Sequence, residues 1–259
     1  MRLLSKLYNL RNKVPKDIIL ISDIHYKNKK DVKYLDKLYL KLKELNPNYI
    51  CIAGDLTDEA YVKDDIYLIE WLEKLSKIGT VIYELGNHEC YINRKKKQFG
   101  FNRDLLNRIK KIENLYLLDN DNVIIDNINF IGITIPIDYY FEKEIDKQEL
   151  KDIFNKLKVK KGKYNILLCH SPIDICTEEY LKDSNIDLVL CGHMHGGVLP
   201  NFLRKTIKNG GIITPERKLF PKKCYGYIKI CETEVIISSG VMVIRQLRNL
   251  FVSEIVKIK

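Results

Sequence analysis

The stretch LVLCGHMHGG, residues 188–197, joins an apolar run to two histidines that stand one residue apart between glycines. The chain has five histidines, and the other three, His25, His88 and His170, also follow closely on runs rich in valine, isoleucine and leucine. A short continuous apolar run bounded by turn residues predicts a strand covered on both faces. Every histidine of the chain is therefore predicted to lie just beyond a strand.

Apolar runs of this type recur and alternate with helical patterns through the first half of the chain. The predicted strands are residues 18–22, 49–53, 80–85, 115–118, 123–125, 129–134, 165–169, 188–191, 225–231, 234–238 and 251–257. The predicted helices are residues 32–45, 65–77, 103–111 and 147–157. The alternation predicts an α/β fold with right-handed crossovers. The strand-rich last third, with a hairpin turn at 232–233, predicts a mixed or second sheet, and no linker or repeat interrupts a single domain over 1–259.

The first seventeen residues are basic, and Leu3, Leu4, Leu7 and Leu10 recur in them at near-helical spacing. This pattern predicts a short helical lead-in that either packs on the body of the protein or rests on an anionic membrane surface. The segment lacks the apolar core and cleavage site of a signal peptide. No stretch of the chain approaches the roughly 20 apolar residues of a membrane span.

Composition bounds the class of protein without selecting a substrate. With 46% hydrophobic and 30% charged residues, the 259-residue chain is typical of a globular protein. Its seven cysteines are scattered without a CxxC pair, which favours a reducing cytoplasm over a disulfide framework; a membrane-peripheral location is the alternative. The formal net charge of +10 suits small anionic substrates and equally a nucleic acid or a membrane.

The residues that follow five of the predicted strands predict a metal site. These segments, 22–25, 54–58, 86–89, 170–172 and 192–195, carry aspartate, asparagine or histidine. Ligands of an open α/β sheet bind just beyond the carboxyl ends of its strands. Imidazole together with carboxylate suits Zn, Mn and Fe. A structural role is the commoner explanation for any one histidine, but five at strand ends predict a shared metal centre.

The five blocks resemble, in order, those of the calcineurin-like metallophosphoesterase superfamily, and more loosely its small bacterial branch. The blocks are DIH at 23–25, GDLTD at 54–58, GNHE at 86–89, CHSP at 169–172 and GHMH at 192–195. The resemblance implies a four-layer α/β/β/α sandwich of two mixed β-sheets. It also implies two divalent metal ions, with Mn, Fe and Zn all compatible with the ligand types.

Carried over position by position, the resemblance implies a role for each polar residue. Three side chains would hold one ion: Asp23, His25 and His195. Three would hold the other: Asn87, His170 and His193. Asp55 would bridge the two ions, His88 would face the substrate phosphate without binding metal, and Asp58 would lie behind the ligands and orient a histidine.

The implied reaction is hydrolysis of a phosphomonoester, phosphodiester or pyrophosphate bond by a metal-bridging hydroxide, with His88 protonating the leaving group. We expect a small-molecule or lipid-linked phosphoester as substrate. Five aromatic residues are candidates for the pocket wall: Tyr26, Tyr91, Phe99, Tyr139 and Tyr140. The basic residues 94–97 are placed to meet further phosphates, although a plain surface role is equally compatible with the pattern.

Two alternatives stay open. The positive charge also suits a nuclease-type phosphodiesterase, for which nucleic-acid binding should depend steeply on salt. A non-catalytic scaffold of the same fold should have lost metal ligands or His88, and this sequence has lost neither.

Overall fold

The computed structural model describes residues 3–10, 14–141, 147–215, 218–241 and 253–259. The strands are β1 Leu3–Tyr8, β2 Ile18–Ile21, β3 Tyr49–Ala53, β4 Thr80–Glu84, β5 Tyr91–Asn93, β6 Gln98–Phe99, β7 Leu115–Leu118, β8 Asp121–Ile125, β9 Ile128–Ile133, β10 Tyr164–Cys169, β11 Leu188–Cys191, β12 Gly226–Ile230, β13 Thr233–Ile237 and β14 Ser253–Ile258. The helices are α1 Val32–Leu45, α2 Ile66–Ser76, α3 Arg103–Lys110, α4 Gln148–Asn155, α5 Pro172–Ile175 and α6 Glu178–Leu181.

Two mixed six-stranded sheets form the centre of the fold. The first has the order β1-β14-β2-β3-β4-β7, and only the β14–β2 pair is antiparallel. The second has the order β12-β13-β11-β10-β9-β8 and is antiparallel only in its two outer pairs. Helices α1 to α3 pack on the outer face of the first sheet, α4 to α6 pack on that of the second, and a third core fills the space between the sheets. The expected arrangement of two mixed sheets between helical layers is confirmed.

Strand β2 shows why the runs are continuously apolar. Side chains alternate between the faces of a strand. Ile19 and Ile21 belong to the core beneath α1, whereas Ile18 and Leu20 belong to the core between the sheets. Because helices cover one face and the second sheet covers the other, no position of the strand can be polar without burying that polar group.

Helix α1 has the predicted bounds, 32–45, and its packing explains its pattern. Tyr34, Leu35, Leu38 and Leu42 are buried, as three- and four-residue spacing requires. The helix ends because Asn46 adopts a left-handed conformation, in which its N–H donates to the carbonyl of Leu42.

The helix predicted within residues 1–17 is wrong over 3–8, where the structure has strand β1. This strand pairs in parallel with β14, from Leu3 opposite Ser253 to Tyr8 opposite Ile258. The leucine spacing is compatible with a helix, but the backbone hydrogen bonds offered by the edge of β14 give the segment a partner that the local pattern does not reveal. Residues 1–2 and 11–13 of the predicted lead-in lie outside the described residues.

The other predicted elements agree with the structure to within a few residues, and the first two residues of the predicted strand 251–257 lie outside the described part. The β5–β6 hairpin and the one-turn helices α5 and α6 were not predicted, because elements this short carry no readable period. Among the described residues, none of the helices combines the length and apolarity that crossing a bilayer requires. The single-domain interpretation stays a prediction.

Candidate metal centre

The carboxyl ends of five strands meet on one rim of the sandwich. In the first sheet β2, β3 and β4 run parallel, so the segments that follow them emerge on the same side. In the second sheet β10 and β11 do the same. A hydrogen bond joins the two rims directly, since the Nδ1 of His170 lies 2.8 Å from the carbonyl oxygen of Ala53 at the end of β3.

Asp55 lies at the middle of the predicted ligands. Its Oδ2 atom is 3.1 Å from the Nε2 of His170, 3.8 Å from that of His25 and 3.9 Å from that of His88. Its Oδ1 atom accepts a hydrogen bond from the backbone N–H of His88 at 2.9 Å. A carboxylate with histidines on several sides is placed as a bridging ligand would be.

Three groups of side chains could each hold a metal ion, because within each group the ligand atoms lie within 4.8 Å of one another. The first is Asp23, His25 and His195, and the second is Asp55, His170 and His193. These are the carboxylate and imidazole members of the two ion sites that the resemblance implied, with Asp55 placed where the groups adjoin. The third group is His25, Asp55 and His88, so His88 also lies within reach of the same centre.

Buried polar atoms test whether a metal ion fits these side chains. In the part of the chain that the structure describes, Asn87 Oδ1 is a buried atom without a hydrogen-bond partner, whereas His170 Nε2 and His25 Nδ1 face carboxylate oxygens of Asp55 and Asp58 at 3.1 and 3.7 Å. Burying a polar atom without a partner costs free energy, and a cation coordinated by the Asn87 oxygen, among the imidazoles and carboxylates of the same site, accounts for it. The residues present therefore fit a metal centre.

Asn87 is the ligand that sequence chemistry favours least, and the structure explains how it can serve. Its amide Nδ2 donates a 2.6 Å hydrogen bond to the hydroxyl of Tyr91, which orients the side chain. The amide oxygen, the atom that can coordinate a cation, is then buried and unpaired. Both Asn87 and Asp55 line the same pocket.

The buried charges of the centre set each other's protonation. Burial would lower the pKa of His170, but the Asp55 carboxylate holds it well above its ordinary value. Burial would raise the pKa of Asp55, but the imidazoles of His170 and His88 hold it well below. Burial and then the neighbouring His88 keep the pKa of His25 low, and burial also lowers that of His195, so both present the neutral imidazole that binds metal.

Left-handed backbone conformations concentrate at the centre. Asp23, His25, Asp55, His193 and His195 all have φ between 45° and 67°. Such conformations are costly for residues with a side chain and persist where surrounding structure imposes them, often at functional sites. They aim consecutive functional side chains of a short loop in different directions.

Glu89 belongs to the GNHE block, for which the resemblance implied no role at this position, and it organises the loops. Its buried carboxylate accepts hydrogen bonds from the backbone N–H groups of Asp55, Thr57 and Gly86 at 2.7–3.0 Å. It thereby joins the loop after β3 to the loop after β4. The sequence does offer a signal for this role, because a glutamate in a buried loop needs hydrogen-bond donors. Only the tertiary structure shows which backbone N–H groups supply them.

Asp58 lies next to both His88 and His25, but it contacts His88 through its backbone rather than its side chain. Its backbone carbonyl oxygen, rather than its carboxylate, is 2.7 Å from the Nδ1 of His88. Its carboxylate lies 3.7 Å from the Nδ1 of His25 and pairs with Lys27 at 2.8 Å. The ligand and orienting roles of all nine residues stay predictions that this placement supports.

A pocket of about 940 Å³ opens onto the centre. Five cationic side chains line it: Arg94, Lys95, Lys97, Lys147 and Lys218. Tyr91, Tyr139 and Tyr140 line it as expected, and Phe99 packs on Tyr91 and on Phe141, with ring centroids 6.0 and 5.3 Å apart. Tyr26 was wrongly placed in the wall, because it is fully buried and its hydroxyl donates to the carbonyl of Asp64.

Two mixed sheets that gather aspartate, asparagine and histidine side chains on one rim define an α/β metalloprotein of the phosphoesterase type. The sequence matches the calcineurin-like phosphoesterase family over residues 16–197, and the chain belongs to that family. The resemblance read from the five blocks is thus confirmed.

Two bacterial relatives carry the family name without a stated activity. An uncharacterized metallophosphoesterase of Campylobacter jejuni is 30% identical over 72% of this chain and 46% of its own length. One of Helicobacter pylori is 31% identical over 70% of this chain and 44% of its own. The match therefore spans less than half of these relatives. A dimetal phosphatase from Danio rerio aligns over 86% of this chain and 87% of its own, with 13% identity and a TM-score of 0.47.

Proposed function

We propose that the chain is a metal-dependent phosphoesterase that uses two divalent ions to hydrolyse a phosphomonoester, phosphodiester or pyrophosphate bond. The observation that carries the proposal is the convergence of seven candidate metal ligands, Asp55 among them, from five separate loops onto one rim of the sandwich. A pair of ions held there would supply an activated water and neutralise charge on the phosphoryl oxygens.

The roles other than metal binding fall to His88, which would donate a proton, and to residues that hold the ligands and loops in place. His88 has its Nδ1 against the Asp58 carbonyl, so its Nε2 faces the centre and is the nitrogen placed to donate a proton to a leaving oxygen. Asp23 is held by the hydroxyl of Ser22 at 2.6 Å and by the backbone N–H of His193. Glu89 fixes the loops so that the ligands need not reorganise.

The pocket wall supports a substrate with more than one anionic group. Arg94, Lys95 and Lys97 line the pocket, which also offers the aromatic surface of Tyr139 and Tyr140. Positive charge beside a phosphoryl site raises the local concentration of anionic substrates. We therefore favour small or lipid-linked diesters and pyrophosphates over proteins, with nucleic acid as the competing substrate class.

The test is hydrolysis by the purified, metal-loaded protein, with the p-nitrophenyl mono- and bis-esters followed by nucleotide, lipid-head-group and oligonucleotide substrates. Asp55→Ala should abolish both bound metal and turnover, because it removes the central ligand. Asp36→Ala, at an exposed position on α1, is the matched control and should alter neither. Full activity of Asp55→Ala, or bound metal without any hydrolysis by the wild type, would contradict the proposal.

A further inference from the structure

Residues 192–197, which carry His193 and His195, form the last metal loop. The segment between this loop and β12, residues 200–223, exposes apolar side chains to an unusual extent. Phe220, Phe202 and Leu219 are 76%, 71% and 66% exposed, the highest values for large apolar side chains in the described part of the chain. Scattered single exposures are ordinary. Three in one short segment, two of them phenylalanines, indicate a surface that is covered in use.

The exposure is not a consequence of a loose attachment. The N–H groups of Ile212 and Ile213 donate to the carbonyl of Gly197 at 2.8 and 3.2 Å. On the other side, Asn209 donates to the carbonyls of Tyr225 and Tyr227 at 2.9 and 3.0 Å. The segment is therefore fixed both to the metal loop and to β12, which holds its apolar side chains in water.

The charge of the segment is strongly positive. Its sequence has seven basic residues and one acidic residue. Five of its lysines are exposed: Lys205, Lys208, Lys218, Lys222 and Lys223. Protein interfaces are depleted in lysine, whereas anionic lipid attracts lysine clusters and accepts phenylalanine and leucine at its surface.

We propose that Phe202, Leu219, Phe220 and these five lysines form a docking surface for an anionic lipid membrane. The apolar side chains enter the head-group region while the lysines contact lipid phosphates. Pro215 and Lys218 of the same segment line the pocket, so docking holds the mouth of the pocket against the lipid surface. The residues of this surface are not those of the basic segment 1–17, and the proposal does not depend on the proposed hydrolysis.

Sedimentation with vesicles tests the proposal without any enzymatic readout. Vesicles of phosphatidylcholine mixed with phosphatidylglycerol should bind the protein, vesicles of phosphatidylcholine alone should bind it far less, and added salt should weaken binding. The double variant Leu219→Ser, Phe220→Ser should bind anionic vesicles about tenfold more weakly. Its matched control is the double variant Leu40→Ser, Tyr61→Ser. Both positions are exposed and apolar and lie outside the 200–223 segment, so this variant should bind like wild type.

A second pair of double variants tests whether vesicle binding depends on this surface or only on the net charge of the protein. Lys222→Gln, Lys223→Gln should weaken binding, while Lys160→Gln, Lys161→Gln, which removes the same charge from another exposed site, should leave it nearly unchanged. Equal losses in both pairs would show that only the net charge of +10 matters and would overturn the proposal.

Two further results would also overturn it. One is absence of binding to anionic vesicles at low salt. The other is concentration-dependent self-association in the absence of lipid that the Leu219→Ser, Phe220→Ser variant abolishes, which would make the surface a contact between copies of the chain. Circular dichroism of each variant establishes that it is folded, and substitutions at such exposed positions should not disturb folding.

Discussion

Among the five histidines, His88 is the one whose proposed task differs from that of its neighbours. The Asp58 carbonyl fixes its Nδ1, and its Nε2 lies 3.9 Å from Asp55. The geometry alone would also allow this nitrogen to bind metal, because His25, Asp55 and His88 form one of the three candidate groups. The two roles make different predictions for a single substitution.

We expect His88→Ala to retain both metal ions and to lose about 10²–10⁴-fold in turnover, the usual contribution of a positioned general acid. Metal content by elemental analysis and turnover on the bis-ester substrate measure the two quantities separately. Loss of one ion would make His88 a ligand, and an unchanged rate would remove it from the mechanism.

Asn87 and Glu89 show how neighbouring residues of one block acquire unrelated tasks. The amide oxygen of Asn87 becomes available because Tyr91 occupies its amide nitrogen. The Glu89 carboxylate accepts a hydrogen bond from the backbone N–H of Asp55 and thereby fixes the backbone of that residue. The block GNHE names these residues; the partners that decide their roles come from other loops.

At the scale of elements, the contact between Gly197 of the last metal loop and Gly211 positions the 200–223 segment. Gly197 has φ +64°, and its Cα packs so closely on Gly211 that a Cβ atom on either residue would overlap the other backbone. The carbonyl of Gly197 also accepts the hydrogen bonds of Ile212 and Ile213. The metal loop and the exposed segment are thereby one unit.

Gly197→Ala should therefore destabilise the protein by about 2–5 kcal/mol, combining a left-handed penalty with overpacking. Gly162→Ala is the control, because Gly162 has φ +78° but nothing within 4 Å of the added Cβ, so only about 1–2 kcal/mol is expected. Urea unfolding of the two variants gives the difference. Equal losses would mean that the segment relaxes away from Gly197 at no cost.

On the scale of the whole molecule, the metal centre joins the two sheets. His170 and His193 follow strands of the second sheet and Asp55 and Asn87 follow strands of the first, so ions bound among them would add links between the sheets to the apolar core and the hydrogen bond from His170 to Ala53. Any ligand that binds the folded state alone stabilises it by mass action.

Saturating divalent metal should accordingly raise the melting temperature. At a free concentration 100 times the dissociation constant the gain is about 2.7 kcal/mol, or roughly 5–10 °C for a chain of this size. Thermal unfolding with Mn²⁺ or Zn²⁺, and again after chelation, measures the shift. Asp55→Ala should show almost none, and a wild type indifferent to every ion tried would count against a metal centre.

Much of the architecture could be predicted from the sequence because each piece of it is local. Runs such as 18–21 and 188–191 are apolar throughout since both faces of their strands are buried, and five such runs are followed closely by aspartate, asparagine or histidine. Strand β1 was missed because its partner, β14, lies at the opposite end of the chain, and three- to four-residue spacing of leucines says nothing about a sheet edge.

The sequence by itself determined the family, the alternation of strands and helices, and the identity of the residues at the rim, because these follow from the order of residue types along the chain. Only the tertiary structure decided that His170 bonds to Ala53 across the sheets, that Tyr91 orients the Asn87 amide, that Tyr26 is buried, and that Phe220 is exposed to solvent. Each of these depends on which distant segments meet, and packing of the two sheets determines that.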